Sequence, residues 1–384
     1  MTVIALPALI LQVSSCGDFL DREDDDNITE AEAFSRYERV NGMVSDVYAA
    51  AKRADRPLVF FEHFSNSAIT DECEGTNVEG NITNNFNNGA WNPNSLPGSC
   101  GQYWESLYEG IRKTNLIIQN VEKYNTPDNP QQDGDLRNRI GEMYFMRGYF
   151  HYLVMRMYGE APYIDRVINA GDDMNFKQES VHTLVEKIVK DAQTAYDMVP
   201  NKYVKTSENF GRVDKGACLG LIAVARWTVA TPLWNGASQY GYTGKRVFED
   251  EYGYDIERWR RAKDAAKAVL DFEVGGTKRY TLYTEHGEDD FLDPAGGNLN
   301  GSRVYARLWD MFYDMDAFAN EYVFFMTKSK DQAWQGDIYP PSREGSSRQQ
   351  PVQEQVDEYE YIVGDYGYPV YSAEARSGGY DDSN

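Results

Sequence analysis

Val181-His-Thr-Leu-Val-Glu-Lys-Ile-Val-Lys-Asp-Ala-Gln-Thr-Ala-Tyr-Asp-Met-Val199 is the stretch that decides how this chain folds. Val181, Leu184, Val185, Ile188, Ala192, Ala195, Tyr196 and Val199 return every three or four positions, the spacing of one helical face. Ser180 stands where an N-cap belongs. The stretch predicts an amphipathic helix, and such a helix has to bury its stripe against a neighbouring element.

The same period recurs on both sides. Upstream, Phe34 to Tyr48, Tyr103 to Tyr124 and Leu136 to Tyr158 each predict a helix. The third is aromatic nearly all round and is stopped by Gly159 and Pro162. Downstream, Val213 to Ala230 is apolar and ends before Pro232. Glu257 to Phe272 follows, with Trp259, Ala262, Ala266, Val269 and Leu270 expected inward. Helices arriving in pairs across short or medium breaks predict a mainly α fold of stacked helical hairpins, tetratricopeptide-like, although no fixed repeat period is legible. Leu58 to Phe61 is a short apolar run, and Thr70 to Cys100, dense in Asn and Gly, reads as loop. Past Gly275 the chain turns rich in Gly, Asp, Tyr and Pro, with one strand-like run, Glu321 to Met326. Residues 34–274 are thus expected to form the scaffold, and residues 275–384 a large irregular, ligand-facing region with minor β.

The N-terminus has a different character. Val3 to Leu11 is apolar, Ser14 and Ser15 are small, Cys16 follows, and acids crowd in from Asp18. This is the layout of a bacterial lipoprotein signal: residues 1–15 direct export, Cys16 becomes the lipidated anchor, and residues 16–33 form an acidic tether. No Lys or Arg precedes Cys16, so the true signal is expected to begin further upstream. The apolar stretch is too short to span a bilayer, which fits a lipid anchor better.

Composition narrows the partners. Basic residues number 38 against 61 acidic ones, a net charge of −23. Such a surface repels phosphate backbones, so no nucleic-acid partner is expected. Aromatics make up 14%, with 28 Tyr, which suits sugar rings and interior packing alike. With Cys16 given to lipid, Cys73 and Cys100 lie in one Gly/Asn-rich segment, where a disulfide stays open in an oxidising compartment. Cys218 falls on an apolar helical face and reads as a buried thiol.

Reaction machinery is not legible. The chain holds no Gly-x-Ser-x-Gly, no His-Glu-x-x-His and no glycine-rich phosphate loop. Of His63, His151, His182 and His286, the second lies in an aromatic helix and reads as a packing residue. Acid pairs such as Asp71/Glu72, Glu288/Asp289/Asp290 and Asp314/Asp316 cannot be told from solvated surface, and Glu288 to Asp293 reads as a loop with calcium ligation as the alternative. No catalytic residue, metal or cofactor is expected.

Several segments then fall in a familiar order. They are the Phe34–Tyr48 helix, Ala68-Ile-Thr-Asp-Glu72, and Tyr103-Trp-Glu-Ser-Leu-Tyr-Glu-Gly-Ile-Arg-Lys-Thr-Asn115. Next come Gly141-Glu-Met-Tyr-Phe-Met-Arg-Gly-Tyr-Phe-His-Tyr-Leu153 with Tyr158-Gly-Glu-Ala-Pro162. Trp259-Arg-Arg-Ala262, Asn320-Glu-Tyr-Val-Phe324 and Pro351-Val-Gln-Glu-Gln-Val-Asp-Glu-Tyr359 complete the series. Together they resemble the SusD/RagB family of bacterial surface glycan-binding lipoproteins, over essentially the whole chain. Members continue beyond the segment matching Gly379-Tyr380-Asp381, so the chain is expected to be C-terminally truncated, with apolar faces of its stack uncovered. The resemblance implies a lipoprotein on the outer membrane, facing outward, that binds oligo- or polysaccharide and passes it to a SusC-like TonB-dependent transporter. The alternatives are a surface glycan hydrolase and a binder of another nutrient such as peptide.

A pyranose offers an apolar C–H face that stacks on Trp or Tyr, and hydroxyls that need amides or carboxylates at the rim. Loop aromatics suit this better than helical ones, which the core claims. Trp91 and Asn92, in Asn87-Asn88-Gly89-Ala90-Trp91-Asn92, are therefore the first candidates. The resemblance points to the same loop and adds the flanks of Asn320–Phe324, bringing in Trp309, Tyr313, Trp334 and Tyr339. Trp104, Trp227 and Trp259 lie on helical stripes and are expected in the core, while Trp234, just past a helix-ending proline, stays open.

Overall fold

The computed structural model describes residues 29–54, 60–61, 64–75, 82–92, 94–95, 98–124, 130–203, 208–240, 246–282, 321–325, 341–357, 360–363, 366–369 and 372–379. Every long helix that the periodicity predicts is present, with its ends adjusted. A first turn, α1 (Glu30–Phe34), starts from a Thr29/Glu32 capping box and leads into α2 (Tyr37–Ala54). After a short helix, α3 (Ile82–Asn87), come α4 (Gly98–Tyr124), α5 (Pro130–Tyr158), α6 (Val181–Met198), α7 (Lys215–Ala230) and α8 (Ile256–Asp271). Helix α5 starts before the predicted Leu136, at Pro130, whose fixed φ and missing N–H cost nothing in the first turn.

Helix α2 packs on α4, and each of α4 to α7 packs on its successor. On α6, Ser180 caps the N-terminus by accepting from the Thr183 N–H, and Val181, Leu184, Val185, Ile188, Ala192 and Ala195 are buried. Each large apolar side chain so enclosed contributes roughly 1.5–3 kcal/mol of transfer free energy. Two glycines set the spacing of the central helices. A Cβ on Gly110 of α4 would lie 2.6 Å from the Phe150 ring of α5, and one on Gly141 of α5 would lie 2.7 Å from Met198 Cβ of α6. Both glycines belong to the segments that carried the family resemblance.

Polar residues of those segments also serve the scaffold. Arg147 of α5 grips Asp191 of α6 through Nε (2.7 Å) and Nη2 (2.6 Å), and its Nη1 donates to Asn115 Oδ1 of α4 (3.0 Å). Glu142, fully enclosed, accepts from Arg139 (2.6 Å), Arg212 (2.9 Å), Tyr48 (3.0 Å) and Tyr203 (2.7 Å). His151 stacks on Tyr163 with ring centroids 3.8 Å apart. It accepts the Ile164 N–H at Nε2 (3.0 Å), so Nδ1 carries the hydrogen that goes to the Arg147 carbonyl (2.9 Å). Burial pushes its pKa down to about 3, which keeps it neutral: a satisfied packing residue.

Strands are short. Among the described residues, β1 (Phe60–Phe61) pairs with β2 (Phe64–Ser65), β3 (Cys73–Gly75) with β6 (Gln349–Pro351), β4 (Glu273–Val274) with β5 (Thr277–Lys278), and β7 (Glu360–Val363) with β8 (Tyr366–Pro369). All four pairs are antiparallel. Two short helices, α9 (Gln353–Asp357) and α10 (Ala373–Ser377), complete the described chain. No helix among the described residues is long and apolar enough to cross a membrane.

Two sequence-based expectations change, and the open question of a disulfide is decided. Residues 321–325 form no strand; Phe324 instead meets Phe145 (4.9 Å) and Tyr149 (5.6 Å) edge-on, so this aromatic run packs on helix α5 rather than pairing. No disulfide joins Cys73 to Cys100, each a buried thiol, while Cys218 is buried as expected. The largest change concerns the α7–α8 hairpin. Trp227 is 57% exposed and Trp259 38%, Leu270 is 66% exposed, and Ala262 alone of the expected inward set on α8 is buried. Periodicity correctly reported a stripe on each helix. In α7 the covered face is the other one, through Cys218, Leu221, Ala225 and Val229. Trp104 does pack against the core, at 4.7 Å from Tyr108 and 5.1 Å from Tyr158. Trp234 is half-buried, beside Tyr252 (5.1 Å) and under the Arg246 guanidinium (5.1 Å).

Candidate ligand-binding surface

Trp91 owes its position to the end of α3. The sequence pattern reads as loop there because Asn and Thr dominate the helix, residues that favour caps and turns over helix interiors. It closes with the two bonds of a Schellman motif, Ala90 N–H to Asn85 O (3.0 Å) and Gly89 N–H to Phe86 O (3.1 Å). Gly89 supplies the left-handed conformation this needs, at φ +68°. The chain therefore leaves the helix sharply, and Trp91 emerges 43% exposed with one flank resting on Phe86 (5.5 Å, planes at 51°). Phe86 in turn packs with Ile69 and Tyr103 around Cys100, at the start of α4.

Hydrogen bonds hold the loop from both ends. Asn88 Oδ1 accepts the Ala90 N–H (3.0 Å), and Asn92 Oδ1 accepts the Asn94 N–H (2.9 Å), which leaves the Asn92 NH2 group for another acceptor. Asn92 also bridges Ser95, whose N–H reaches its carbonyl at 2.8 Å. Asn87 Nδ2 donates to the Ala68 carbonyl (3.0 Å), tying the loop to the Ala68–Glu72 segment. The neighbouring β3 pairs with β6 in the register Cys73↔Pro351, Glu74↔Gln350 and Gly75↔Gln349. The Val352 N–H then reaches the Glu72 carbonyl at 3.1 Å. Two segments far apart in sequence, Ala68–Gly75 and Gln349–Val352, thus meet beside the Trp91 loop.

This arrangement offers an indole face, exposed amides and the exposed carboxylates of Asp71, Glu72 and Glu74 on a rigid base. Such groups suit a ring with an apolar face and hydroxyl edges. Of the other sequence candidates, Trp309, Tyr313, Trp334, Tyr339 and Cys16 lie outside the described residues. His63, His286 and the Glu288–Asp293 run do so as well. Sequence reasoning missed helix α3, whose only signal was the Ile82/Phe86 pair one turn apart, and missed the β3–β6 pairing altogether.

Comparison with known proteins places this geometry in context. Residues 18–225 match the SusD-like family model described as "Starch-binding associating with outer membrane". The curated SusD-like protein P2 of Formosa agariphila is 25% identical over 129 residues, which cover 33% of this chain and 24% of that protein. Among solved structures, BT4246 superposes with a TM-score of 0.65 at 18% identity, covering 85% of this chain and 57% of that one. A SusD-like carbohydrate binding protein of Bacteroides fragilis NCTC 9343 superposes with a TM-score of 0.58 at 12% identity, covering 91% and 57%. The chain therefore spans a little over half the length of these structures and about a quarter of the curated relative. With more than half of its residues in the family match and the same helical fold beneath them, the chain belongs to the SusD-like family.

Proposed function

We propose that this protein binds oligo- or polysaccharide at the cell surface and passes it to a SusC-like TonB-dependent transporter, with a lipid on Cys16 holding it to the outer membrane. Its part is capture and delivery, with no covalent chemistry. The family description, starch binding in association with the outer membrane, supports the class of ligand and the compartment. The observation that carries the site is the half-exposed Trp91 indole, held on a closed helix end with Asn92 beside it. Trp309, Tyr313, Trp334 and Tyr339 are assigned to the same ligand on the family resemblance, within the ligand-facing region 275–384.

Calorimetry against a panel of neutral glycans, malto-oligosaccharides first, tests the reading. Trp91→Ala should weaken binding by about tenfold or more, as loss of a Trp anchor does elsewhere. Trp91→Ala combined with Trp334→Ala should weaken it further. Unchanged affinity in the double variant removes this site, and new reducing ends released from a polysaccharide would replace the reading with a hydrolase.

A further inference from the structure

A polar cleft of about 250 Å³ opens between the N-terminal halves of α6 and α8 and the C-terminal end of α7. These elements are not those that carry Trp91. His182, Glu186, Arg226, Asp255, Arg258 and Arg261 line it. Three guanidinium groups therefore meet two carboxylates, and both carboxylates are engaged. Glu186 receives the Arg226 fork, Nη1 on one oxygen and Nη2 on the other (2.8 Å), and Arg261 approaches the first oxygen from 3.4 Å. Asp255 caps α8, accepting the Glu257 N–H (2.9 Å). The hydrogen bonds that Arg258 makes go to neutral oxygens: Asn235 Oδ1 (2.9 Å) and the carbonyls of Gly253 and Glu251.

Positive charge is thus in surplus here, on a chain whose net charge is −23. Helix α8 alone carries five basic against three acidic side chains. The Arg261 side chain is 61% exposed, and its one ion-pair oxygen is already shared with Arg226. A locally cationic cleft in an acidic surface concentrates small anions, and guanidinium forks match the planar or tetrahedral oxygens of carboxylate, sulfate and phosphate. Arg226 and Arg258 are fixed in place by the bonds just described, so the cleft is built before an anion arrives.

We infer that this cleft is an oxyanion-binding site in which Arg261, backed by Arg258 and Arg226, recognises the acidic group of a ligand. Two sources share that chemistry: an acidic sugar residue, carrying uronate or sulfate, and a free inorganic anion. The inference stands apart from the Trp91 site, which takes neutral rings.

Calorimetry on the full chain at low ionic strength, with tri-galacturonate, inorganic phosphate and a neutral malto-oligosaccharide as probes, separates these. Tri-galacturonate should bind, and Arg261→Gln should weaken it about tenfold, the worth of a charge-assisted hydrogen bond. Raising the salt should weaken it as well. Arg260→Gln, one position along and paired with Glu257, should leave it unchanged. Tri-galacturonate binding more tightly than phosphate identifies an acidic glycan as the source; equal affinity, with the same dependence on Arg261, identifies a free anion. Absence of binding by either anion, or equal losses in the two arginine variants, overturns the inference. Trp91→Ala should spare tri-galacturonate and Arg261→Gln should spare the neutral probe, so failure of one site is distinguishable from failure of the other.

Discussion

Replacing Arg147 by Met probes what the family-like segments are for. In the structure the guanidinium makes two bonds to Asp191, at 2.7 and 2.6 Å, one to Asn115 (3.0 Å) and one to the Asp165 carbonyl (3.2 Å). The Arg147 and Asp191 side chains retain only 8% and 6% of their accessible surface. Arg147→Met leaves the Asp191 carboxylate enclosed with the Tyr163 hydroxyl as its remaining side-chain donor. Removing one partner of a buried pair costs about 3–5 kcal/mol, because the other charge stays desolvated and unmatched. Against a domain stability of roughly 5–15 kcal/mol this is a large fraction. Asp191→Leu alone should also destabilise, and the double variant Arg147→Met/Asp191→Leu should recover part of the loss, with a coupling of about 1–3 kcal/mol. Urea unfolding followed by far-ultraviolet circular dichroism on the four proteins measures this cycle. A cost below about 1 kcal/mol for Arg147→Met, or strict additivity, would refute the argument that the pair holds α4, α5 and α6 together.

Other consequences follow from the same packing. His151 has a folded-state pKa of about 3 against an unfolded value near 6.5, so its contribution is complete above pH 6.5 and declines as pH falls toward 3. Between pH 6.5 and 5 the protein should lose about 1–2 kcal/mol more stability than His151→Gln does, and parallel pH profiles in denaturant titrations would contradict this. Gly110→Ala pushes a methyl into Phe150 and should cost about 1–3 kcal/mol by thermal or urea unfolding. Gly134→Ala, with open space around it on α5, should be neutral or slightly stabilising. Trp227→Gln should change stability by no more than about 0.5 kcal/mol, whereas a Trp in the core would cost about 3–5 kcal/mol on truncation.

The sequence announces the scaffold because local signals and tertiary packing agree along it. Ser180, the apolar stripe of α6 and the stop at Gly159 and Pro162 each act within a few residues, and each is found where the spacing puts it. What failed to show was whatever depends on distant chain. A stripe of Trp259, Ala266 and Leu270 reveals amphipathicity, yet whether a neighbour covers it is decided by other elements, and in this hairpin the described neighbours leave it exposed. The pairing of β3 with β6 links residues near position 74 with residues near position 350, which no local pattern can report. Helix α3 stayed hidden because four of its six side chains are Thr or Asn, which favour turns, and its two apolar ones are too few to make a stripe. The Trp91 loop was visible as a site because Asn-Asn-Gly ahead of a Trp breaks helical periodicity, so the ring cannot belong to a helical core stripe. The cleft of arginines was invisible, since its members come from three helices whose charges each read as ordinary solvated faces.

Crystallographic density for the protein grown with a malto-oligosaccharide tests the central claim most directly. A pyranose ring should be stacked on the exposed face of the Trp91 indole, with an oxygen of the sugar within hydrogen-bond reach of Asn92. A glycan bound elsewhere with the Trp91 loop bare, or saturating oligosaccharide leaving no density anywhere on the protein, would contradict it.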